Sequence, residues 1–369
     1  MSLRIDLVEP FFAGSHRAWA EGWAAHSSHD IRLHTLPGSA WRWRMRGGAA
    51  TVAPRLVDRA GRDGLPDLMV VSDMIDLGDL LGRLRRSHAA VPTALYLHEN
   101  QLTYPRRPEE PLDSGLAWIT WRNLTQADEI WCNSAFHRDE LLAALPAFLG
   151  GVPDHDQLDL LPSVAQRMRV LPVGVEIPAA GGRSHPPLVL SNQRWHDDKD
   201  VDAVARALVR LAAAGVEFRV AMIGDHRGGR ADDIDPLLDR LGDRVVARGL
   251  VDRDTYGRLL GEADVVVSAA RNEFFGVAVV EAIGAGAVPV LPNAVAYPEV
   301  VPERHHGSVL YERGELRSAL ARTLDSLASR RHEIDGLAAS MRRFEWTAVA
   351  PAYDAAATAL AADATGDAK

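Results

Sequence analysis

The sequence contains a single cysteine, Cys132, in 369 residues. One thiol excludes an internal disulfide and a cysteine-based metal cluster, and it is typical of a reducing compartment. No apolar run reaches the roughly 18–20 residues that a membrane-spanning helix requires. The first residues predict a β-strand and lack the pattern of a secretory signal. These absences together predict a cytoplasmic protein.

Lysine is nearly absent, since Lys199 and Lys369 are the only lysines among 41 basic residues. Lys199 follows a short apolar strand and lies five positions after Arg194. Arginine offers a planar fork and lysine a compact point charge, so a loop at a strand end could aim both at one phosphate. A solvated basic pair at the start of a helix is the alternative.

Strand and helix patterns alternate along the chain, which predicts an α/β protein with doubly wound, mostly parallel sheets. The length suits two domains. A stretch rich in Gly and Pro at 179–187 predicts a linker, with one domain at 1–180 and another at 187–345. Helices are expected at 16–26 and 346–362. The predicted strands are 4–8, 31–35, 68–72, 93–98, 129–132, 168–171, 187–191, 217–223, 244–248, 264–268 and 287–291.

Two carboxylates stand eight positions apart, Glu273 before a predicted helix and Glu281 inside it. Phe275, Gly276 and Val277 lie at the helix start, where backbone N–H groups lack intrahelical partners and the helix dipole is positive. Such a start can seat a phosphate, while the carboxylates can accept hydroxyls of a sugar and a ribose. Flanking apolar strands predict a βαβ unit with its ligand at the carboxyl ends of the strands. An amphipathic helix with water-facing acids is the alternative.

The spacings of Glu273 with Glu281 and of Arg194 with Lys199 resemble the donor motifs of family-4 retaining glycosyltransferases. The resemblance implies the GT-B architecture, in which two Rossmann-like domains face each other across the reaction cleft and the terminal helix crosses back to the first. It implies a nucleotide-sugar donor and no metal or other cofactor. Arg194, Lys199 and the amides near Phe275 would neutralise the departing diphosphate, Glu273 would position sugar hydroxyls, and Glu281 would bind the ribose.

Three segments of the first domain carry a narrower resemblance: EPFFAGSH at 9–16, WRMRGG at 43–48 and YLHENQ at 96–101. Together they resemble the N-terminal domain of tRNA-queuosine α-mannosyltransferases, from residue 4 to about 180. This resemblance implies transfer of mannose from GDP-mannose to queuosine in the anticodon of tRNA-Asp.

The resemblance implies roles for residues at the strand ends of the first domain. His98 would contact a donor sugar hydroxyl or orient the acceptor, with Glu99 and Asn100 beside it on the acceptor side. Gly14 would let the backbone approach donor phosphates or the acceptor closely, with Ser15 as a helix cap. The alternative for His98 is a loop histidine bonded to the backbone, and the alternative for Gly14 is a plain strand-to-helix turn.

Tryptophan and methionine alternate with arginine over residues 41–46. This run predicts an RNA-facing element, because arginines bind phosphates and tryptophans stack on bases. As a strand, this run would place its arginines on one face and its Trp and Met side chains on the other. An amphipathic strand with a buried Trp/Met face is the alternative, and Arg106 belongs either to the same patch or to a solvated loop. The candidate RNA-binding residues are Arg42, Trp43, Arg44, Arg46 and Arg106.

Other functions remain open on the sequence. The same transfer chemistry could act on another nucleoside, a natural product or a lipid. A hydrolysing nucleotide-sugar epimerase could share the two-domain architecture. A module that binds nucleotide sugar or RNA through a decayed site is the non-enzymatic alternative. The net charge of −9 requires any RNA contact to use a local patch.

Overall fold

A computed structural model describes residues 2–105, 111–183, 185–226 and 231–366. The chain forms two compact units, one running to Gly174 and including the residues from Trp346 onward, the other comprising Val175–Glu345. Each unit is built around one six-stranded sheet. None of the helices within these ranges is both long enough and apolar enough to cross a bilayer.

The strands in chain order are β1 (Arg4–Phe12), β2 (Asp30–Pro37), β3 (Leu68–Ser72), β4 (Thr93–Leu97), β5 (Glu129–Cys132), β6 (Met168–Val170), β7 (Leu188–Ser191), β8 (Arg219–Ile223), β9 (Val245–Gly249), β10 (Val265–Val267), β11 (Val288–Pro292) and β12 (Leu310–Tyr311). The helices are α1 (Gly14–His26), α2 (Trp41–Asp63), α3 (Leu77–Leu84), α4 (Ser114–Gln126), α5 (Ala135–Leu149), α6 (Leu161–Gln166), α7 (Val201–Ala213), α8 (Ala231–Asp239), α9 (Arg253–Glu262), α10 (Val277–Gly284), α11 (Tyr297–Val300), α12 (His306–Val309), α13 (Leu316–Asp325), α14 (Leu327–Glu333), α15 (Leu337–Met341) and α16 (Trp346–Gly366).

Both sheets are parallel and doubly wound, which confirms the predicted fold class. The first has the order β2-β1-β3-β4-β5-β6, and the second β12-β11-β10-β7-β8-β9. Winding reverses between β1 and β3 in the first sheet and between β7 and β10 in the second. Since ligands of such sheets bind beside the reversal, at the carboxyl ends of the strands, these two places are the expected sites.

Every predicted strand is present, and only β1 differs by more than two residues at an end. It continues past the predicted end at Val8 to Phe12, across a register irregularity between Glu9 and Phe12. A proline, here Pro10, is tolerated in a sheet at such a bulge. The longer strand matters because it places Glu9 inside the sheet.

The run Trp41–Arg46 begins helix α2, so its interpretation as a strand is wrong. The physical reason is the longer pattern that follows. Met45, Ala49, Val52 and Leu56 are all buried and recur at intervals of three or four residues, which is the period of a helix. Six residues of alternation are outweighed by this helical apolar stripe.

Asp354, near the middle of helix α16, bonds this helix to the end of α1. Asp354 accepts hydrogen bonds from Trp23 Nε1 at 3.0 Å, from Ser27 Oγ at 2.6 Å and from the Ser28 N–H at 2.7 Å. Burial opposes ionisation of Asp354, but these hydrogen bonds outweigh it and lower its pKa. The charged form therefore ties the end of the chain to the end of α1.

Trp346 at the start of α16 sets a close contact with α1. A Cβ added at Gly22 would lie 2.0 Å from Trp346 Nε1, in a side chain that is itself buried. Gly22→Ala is expected to lower the free energy of unfolding by about 1–3 kcal/mol, since overpacking displaces the indole. Urea denaturation measures this. Gly61→Ala on α2, where an added Cβ meets nothing within 4 Å, is the control; equal stability of the two variants would contradict the prediction.

Candidate active site

The loop after β7 brings Lys199 to the winding reversal of the second sheet. Lys199 is 8% exposed, and its Nζ donates to the carbonyl oxygen of Asn272 at 2.6 Å and to Glu273 Oε2 at 3.0 Å. Asn272 and Glu273 belong to the loop between β10 and α10. The lysine therefore joins the two loops that a ligand at this reversal would contact.

Arg194 and Lys199 share a carboxylate that the sequence did not single out. Arg194 Nη2 lies 3.9 Å and Lys199 Nζ 3.4 Å from Asp198 Oδ2. Burial opposes ionisation of Asp198, but the hydrogen bond from His196 and the charges of Lys199 and Arg194 lower its pKa below the usual range. The two cations thus lie around one buried anion, and the Arg194 side chain is exposed.

Helix α10 begins where the sequence predicts. Gly276 precedes it with a φ of 98°, in the left-handed region, and an added Cβ there would lie 3.2 Å from the ring of Tyr297. The N–H groups of Val279 and Val280 both donate to the carbonyl oxygen of Gly276 at 3.0 Å, which leaves those of Val277 and Ala278 without a partner in the helix. The Phe275 side chain is buried and packs edge-on against Phe344 with ring centroids 5.2 Å apart. Backbone, and not the phenylalanine ring, is therefore what this segment can offer a phosphate.

Glu281 has a partner that sequence reasoning missed. Tyr256 on α9 donates its hydroxyl to Glu281 Oε2 at 2.6 Å, and Asn192 Nδ2 lies 3.2 Å from the same Tyr256 oxygen. Asn192 Nδ2 also donates to the carbonyl oxygen of Ala278 at 2.8 Å. Burial raises the pKa of Glu281 to about 7, although the hydrogen bond from Tyr256 opposes this rise. Glu281 therefore titrates near neutral pH.

A buried hydrogen-bond network fixes the loops below this site. Gln193 Nε2 donates to Tyr297 Oη at 2.9 Å, and Ser268 Oγ donates to Gln193 Oε1 at 2.9 Å. All three residues are buried, where satisfied polar networks are rigid and specific. The loop after β7 is thus held to the carboxyl end of β10.

In the first unit, His98 meets two residues from the start of the chain. Glu9 is fully buried, and its Oε2 lies 3.1 Å from His16 Nδ1 and 3.4 Å from His98 Nε2. The other oxygen, Oε1, accepts the N–H of Phe11 at 2.8 Å. The two imidazole rings lie 3.9 Å apart between centroids. Both Glu9 and His16 stand in the EPFFAGSH segment, whose spacing offered no signal that the two side chains converge.

Asp73, directly after β3, completes this cluster by accepting the N–H of His98 at 3.1 Å. Burial raises the pKa of Asp73 to about 8, and burial together with the charge of His16 lowers that of His98 to about 4. Burial also opposes the charged forms of Glu9 and His16, but their mutual attraction lowers the pKa of Glu9 to about 2 and raises that of His16. Glu9 is therefore anionic at neutral pH, the cationic form of His16 is favoured, and His98 and Asp73 are neutral.

Glu9, His16 and His98 are also the one set of three among the described residues with potential metal-ligand atoms within 4.8 Å of one another. Carboxylate and imidazole are ligands that a divalent transition metal accepts. The hydrogen bond between His16 and Glu9 accounts for the same proximity with a proton. Metal-independent transfer stays a prediction.

The segment after His98 forms a turn. Asn100 is 1% exposed, and its Oδ1 accepts the N–H groups of Leu102 and Thr103 at 3.1 and 2.9 Å. The structure thus gives Asn100 a turn-forming role. Glu99 is partly buried and accepts from Gln101 Nε2 at 3.1 Å. Their contact with an acceptor stays a prediction.

Gly14 opens α1 with a φ of 52°, and an added Cβ there would meet nothing within 4 Å. This space agrees with a close approach of a ligand to the backbone. The cap position belongs to Ala13, without a side-chain hydrogen bond, and Ser15 is the second residue of the helix. The prediction of Ser15 as the cap is wrong because the helix begins at Gly14, two residues before the predicted start at His16.

The candidate RNA-binding arginines are spread around the first turns of α2. Trp43 is 64% exposed, and the guanidinium of Arg42 lies 4.6 Å from the ring centroid of Trp41. Arg44 is partly buried, whereas Arg46 is exposed and its Nη2 lies 2.6 Å from Asp113 Oδ2. The expected single face of all three arginines is therefore wrong, since Arg42 and Arg46, four residues apart, share a face of the helix whereas Arg44 lies on another. Arg106 lies outside the described residues.

Two doubly wound units, the second with cations and a helix start at its winding reversal, define a GT-B glycosyltransferase. Sucrose-phosphate synthase from Thermosynechococcus elongatus has this fold, with a TM-score of 0.75 and 15% identity over 98% of this chain and 100% of that one. The catalytic domain of starch synthase IV from Arabidopsis thaliana gives 0.70 and 12% over 98% and 100%. Residues 186–330 match the glycosyl transferases group 1 family.

The first unit narrows the class. Residues 4–175 match the family described as tRNA-queuosine alpha-mannosyltransferase N-terminal. The tRNA-queuosine alpha-mannosyltransferase of Drosophila melanogaster is 30% identical over 315 residues, 82% of each chain. This chain belongs to the tRNA-queuosine alpha-mannosyltransferase family. A GDP-mannose-dependent phosphatidylinositol dimannoside mannosyltransferase of Mycobacterium tuberculosis is 25% identical over 69% of this chain and 64% of its own length.

Proposed function

We propose that this enzyme transfers mannose from GDP-mannose to queuosine in the anticodon of tRNA-Asp, with retention of configuration, in the cytoplasm. The similarity of both units to the Drosophila tRNA-queuosine alpha-mannosyltransferase is the observation that carries the proposal. The donor-side geometry of the second unit supports the chemistry, and the exposed Trp43 and Arg42 of the first unit support an RNA acceptor.

The second unit holds the donor in this proposal. Lys199 and Arg194 balance the charge of the diphosphate, together with the N–H groups at the start of α10. This stabilisation grows as negative charge develops on the leaving group, and it therefore lowers the barrier. The diphosphate competes with Asp198 for both cations and with Glu273 for Lys199. Donor binding thereby frees the Glu273 carboxylate to accept hydroxyls of the sugar.

The transfer itself needs no nucleophile from the protein. The bond between the anomeric carbon and the diphosphate oxygen breaks, and the acceptor hydroxyl forms its bond to the same face of that carbon. The proton of the acceptor hydroxyl passes to the departing diphosphate, so charge and atoms balance. Side-chain and backbone groups supply the positive charge, and we propose that no metal takes part.

Nucleoside mass spectrometry tests the proposal. The purified full chain is incubated with GDP-mannose and queuosine-containing tRNA-Asp, the RNA is digested, and the nucleosides are weighed. One added hexose on queuosine is the expected product, and tRNA-Asp that carries guanosine in place of queuosine is the matched control. Parallel assays with GDP-glucose, UDP-glucose and UDP-galactose show which nucleotide sugar is the donor. Failure with every queuosine tRNA, accompanied by transfer to a lipid or free nucleoside, would replace the acceptor and retain the glycosyltransferase.

The RNA-binding part of the proposal predicts a selective loss. In the double variant Arg42→Ala with Trp43→Ala, tRNA affinity is expected to fall about tenfold to a hundredfold, because stacking alone contributes roughly 1–3 kcal/mol per base. The KM for the donor stays unchanged, since that substrate is held by the second unit. Filter binding at two salt concentrations measures the affinity. Arg62→Ala, exposed near the other end of α2, is the control; equal tRNA affinity in both variants would remove these residues from the interface.

A further inference from the structure

We propose that Glu9 is a positioning residue that holds His16 and His98 as a donor–acceptor pair for a hydroxyl group of a polyol substrate. The inference rests on the proposed function, since it assigns the pair to the sugar or to the cyclopentene diol of the acceptor. Neither Glu9 nor His16 has a role in the donor chemistry described above. Their place is the winding reversal of the first sheet, where a ligand is expected.

The hydrogen-bond geometry defines what each imidazole can present. His16 Nδ1 faces Glu9 Oε2 at 3.1 Å, so its second nitrogen, Nε2, is the one left for a ligand. His98 Nε2 lies 3.4 Å from the same oxygen, beyond good hydrogen-bond geometry. The negative charge of Glu9 still favours the tautomer of neutral His98 with its proton on Nε2, which leaves Nδ1 as an acceptor. A hydroxyl both accepts and donates, so it can accept from His16 and donate to His98.

A small part of each histidine side chain is exposed, whereas the Glu9 side chain is not exposed at all. The exposed fraction is 10% for the His16 side chain, 6% for that of His98 and zero for that of Glu9. A fully buried carboxylate cannot meet substrate. Its contacts with two imidazoles and with the N–H of Phe11 therefore make it the element that orients the pair.

The backbone of His98 is held from the other side. Asn133 Nδ2 donates to the carbonyl oxygen of His98 at 2.9 Å, and Asn133 Oδ1 lies 2.9 Å from His137 Nδ1. Asp73 accepts the His98 N–H. The main chain of His98 is thus held on both sides, and Glu9 orients its ring. A preorganised binding group needs this kind of support.

The charges around His16 come from several elements. Glu9 on β1 and the more distant carboxylate of Glu99 favour its cation, while burial opposes it; Asp73 adds to this attraction only above its own pKa of about 8, where it is ionised. His98, after β4, is the imidazole that stacks on it. Because burial is the largest opposing influence, removal of the Glu9 charge should return His16 to the neutral form at neutral pH.

The test replaces Glu9 by glutamine, which keeps an oxygen for the Phe11 N–H and removes the charge. Histidine-labelled protein is titrated by NMR, with the His16 resonance assigned by its absence in His16→Gln. Glu9 raises the pKa of His16 above the usual range of an imidazole in the parent chain, and in Glu9→Gln this pKa is expected to fall below that range, because burial is then unopposed. Glu21→Gln, an exposed carboxylate on α1, is the control and should leave the titration unchanged.

Kinetics supply the second arm. In Glu9→Gln the basic limb of the pH–rate profile moves to lower pH and kcat/KM falls about a hundredfold, as expected when a positioned group is displaced. His16→Gln loses the basic limb. An unchanged His16 titration, or an unchanged profile in a folded variant, overturns the proposal. A stoichiometric metal ion found by elemental analysis also overturns it, because a metal would take the place of the shared proton. The titration needs no substrate, so it stands even where the tRNA assay fails.

Discussion

Lys199→Ala is expected to reduce kcat for sugar transfer about a hundredfold to a thousandfold, the cost typical of removing one preorganised charge-stabilising group. Lys199 is the buried cation that contacts both loops at the winding reversal, through Asp198 and Glu273. Its positive charge counts most when the diphosphate departs, so the loss falls on kcat more than on the KM for the donor. Steady-state kinetics with GDP-mannose measure both constants.

Two further variants make this prediction specific. Lys199→Arg is expected to restore little activity, because an 8% exposed site built for a point charge has no room for a planar fork. Arg248→Ala removes an exposed arginine of the same unit, paired with Asp239, and should leave kcat unchanged. Since His196 and Arg194 still balance Asp198, the melting temperature of Lys199→Ala should stay close to the parent value. Transfer within threefold of the parent would remove Lys199 from the diphosphate site.

The KM for the donor is expected to fall as pH rises from about 6 to 8, through the ionisation of Glu281. Burial raises the pKa of this carboxyl to about 7, so below that pH it is protonated and loses one acceptor for ribose hydroxyls. Glu281→Gln should abolish the dependence and raise KM about tenfold to a hundredfold, since hydrogen bonds to a charged group contribute roughly 1.5–3 kcal/mol.

The variant Tyr256→Phe tests whether the pH dependence of the donor KM comes from the ionisation of Glu281. The Tyr256 hydroxyl favours the carboxylate, so its removal should raise the pKa of Glu281 further and move the midpoint of the KM profile to higher pH. Glu217→Gln, an exposed carboxylate of the same unit, should leave the profile in place. A KM that is flat with pH in the parent chain would show that Glu281 does not bind the donor in its charged form.

Local sequence patterns were sufficient for most of the fold. Mostly apolar strands such as β3 and β4, in which every residue is buried, are typical of parallel sheets, because a strand covered on both faces has no polar side. The proposed donor motif is equally local, because the helix start and the carboxylates of Glu273 and Glu281 that flank it lie within nine residues. The helix at Trp41 was not predicted, because the alternation of its first six residues is typical of a strand and the helical period of apolar residues starts only at Met45.

The sequence could not predict which side chains contact each other in the site. Glu9 and His98 are separated by nearly ninety positions, and Lys199 and Glu273 by more than seventy. Spacing along the chain carries no information on which strand ends become neighbours, because the strand order of a doubly wound sheet is set by packing and handedness of the crossovers.

The sequence by itself determined the α/β class, eleven of the twelve described strands, the position of the helix start at Val277 and the family motifs. Each of these depends on residues close together in the chain. Only the tertiary structure decided that Asp198 lies between two cations, that Tyr256 holds Glu281, and that Glu9 joins two histidines. Burial then set their charges, because the cost of removing a charge from water depends on the whole fold around it.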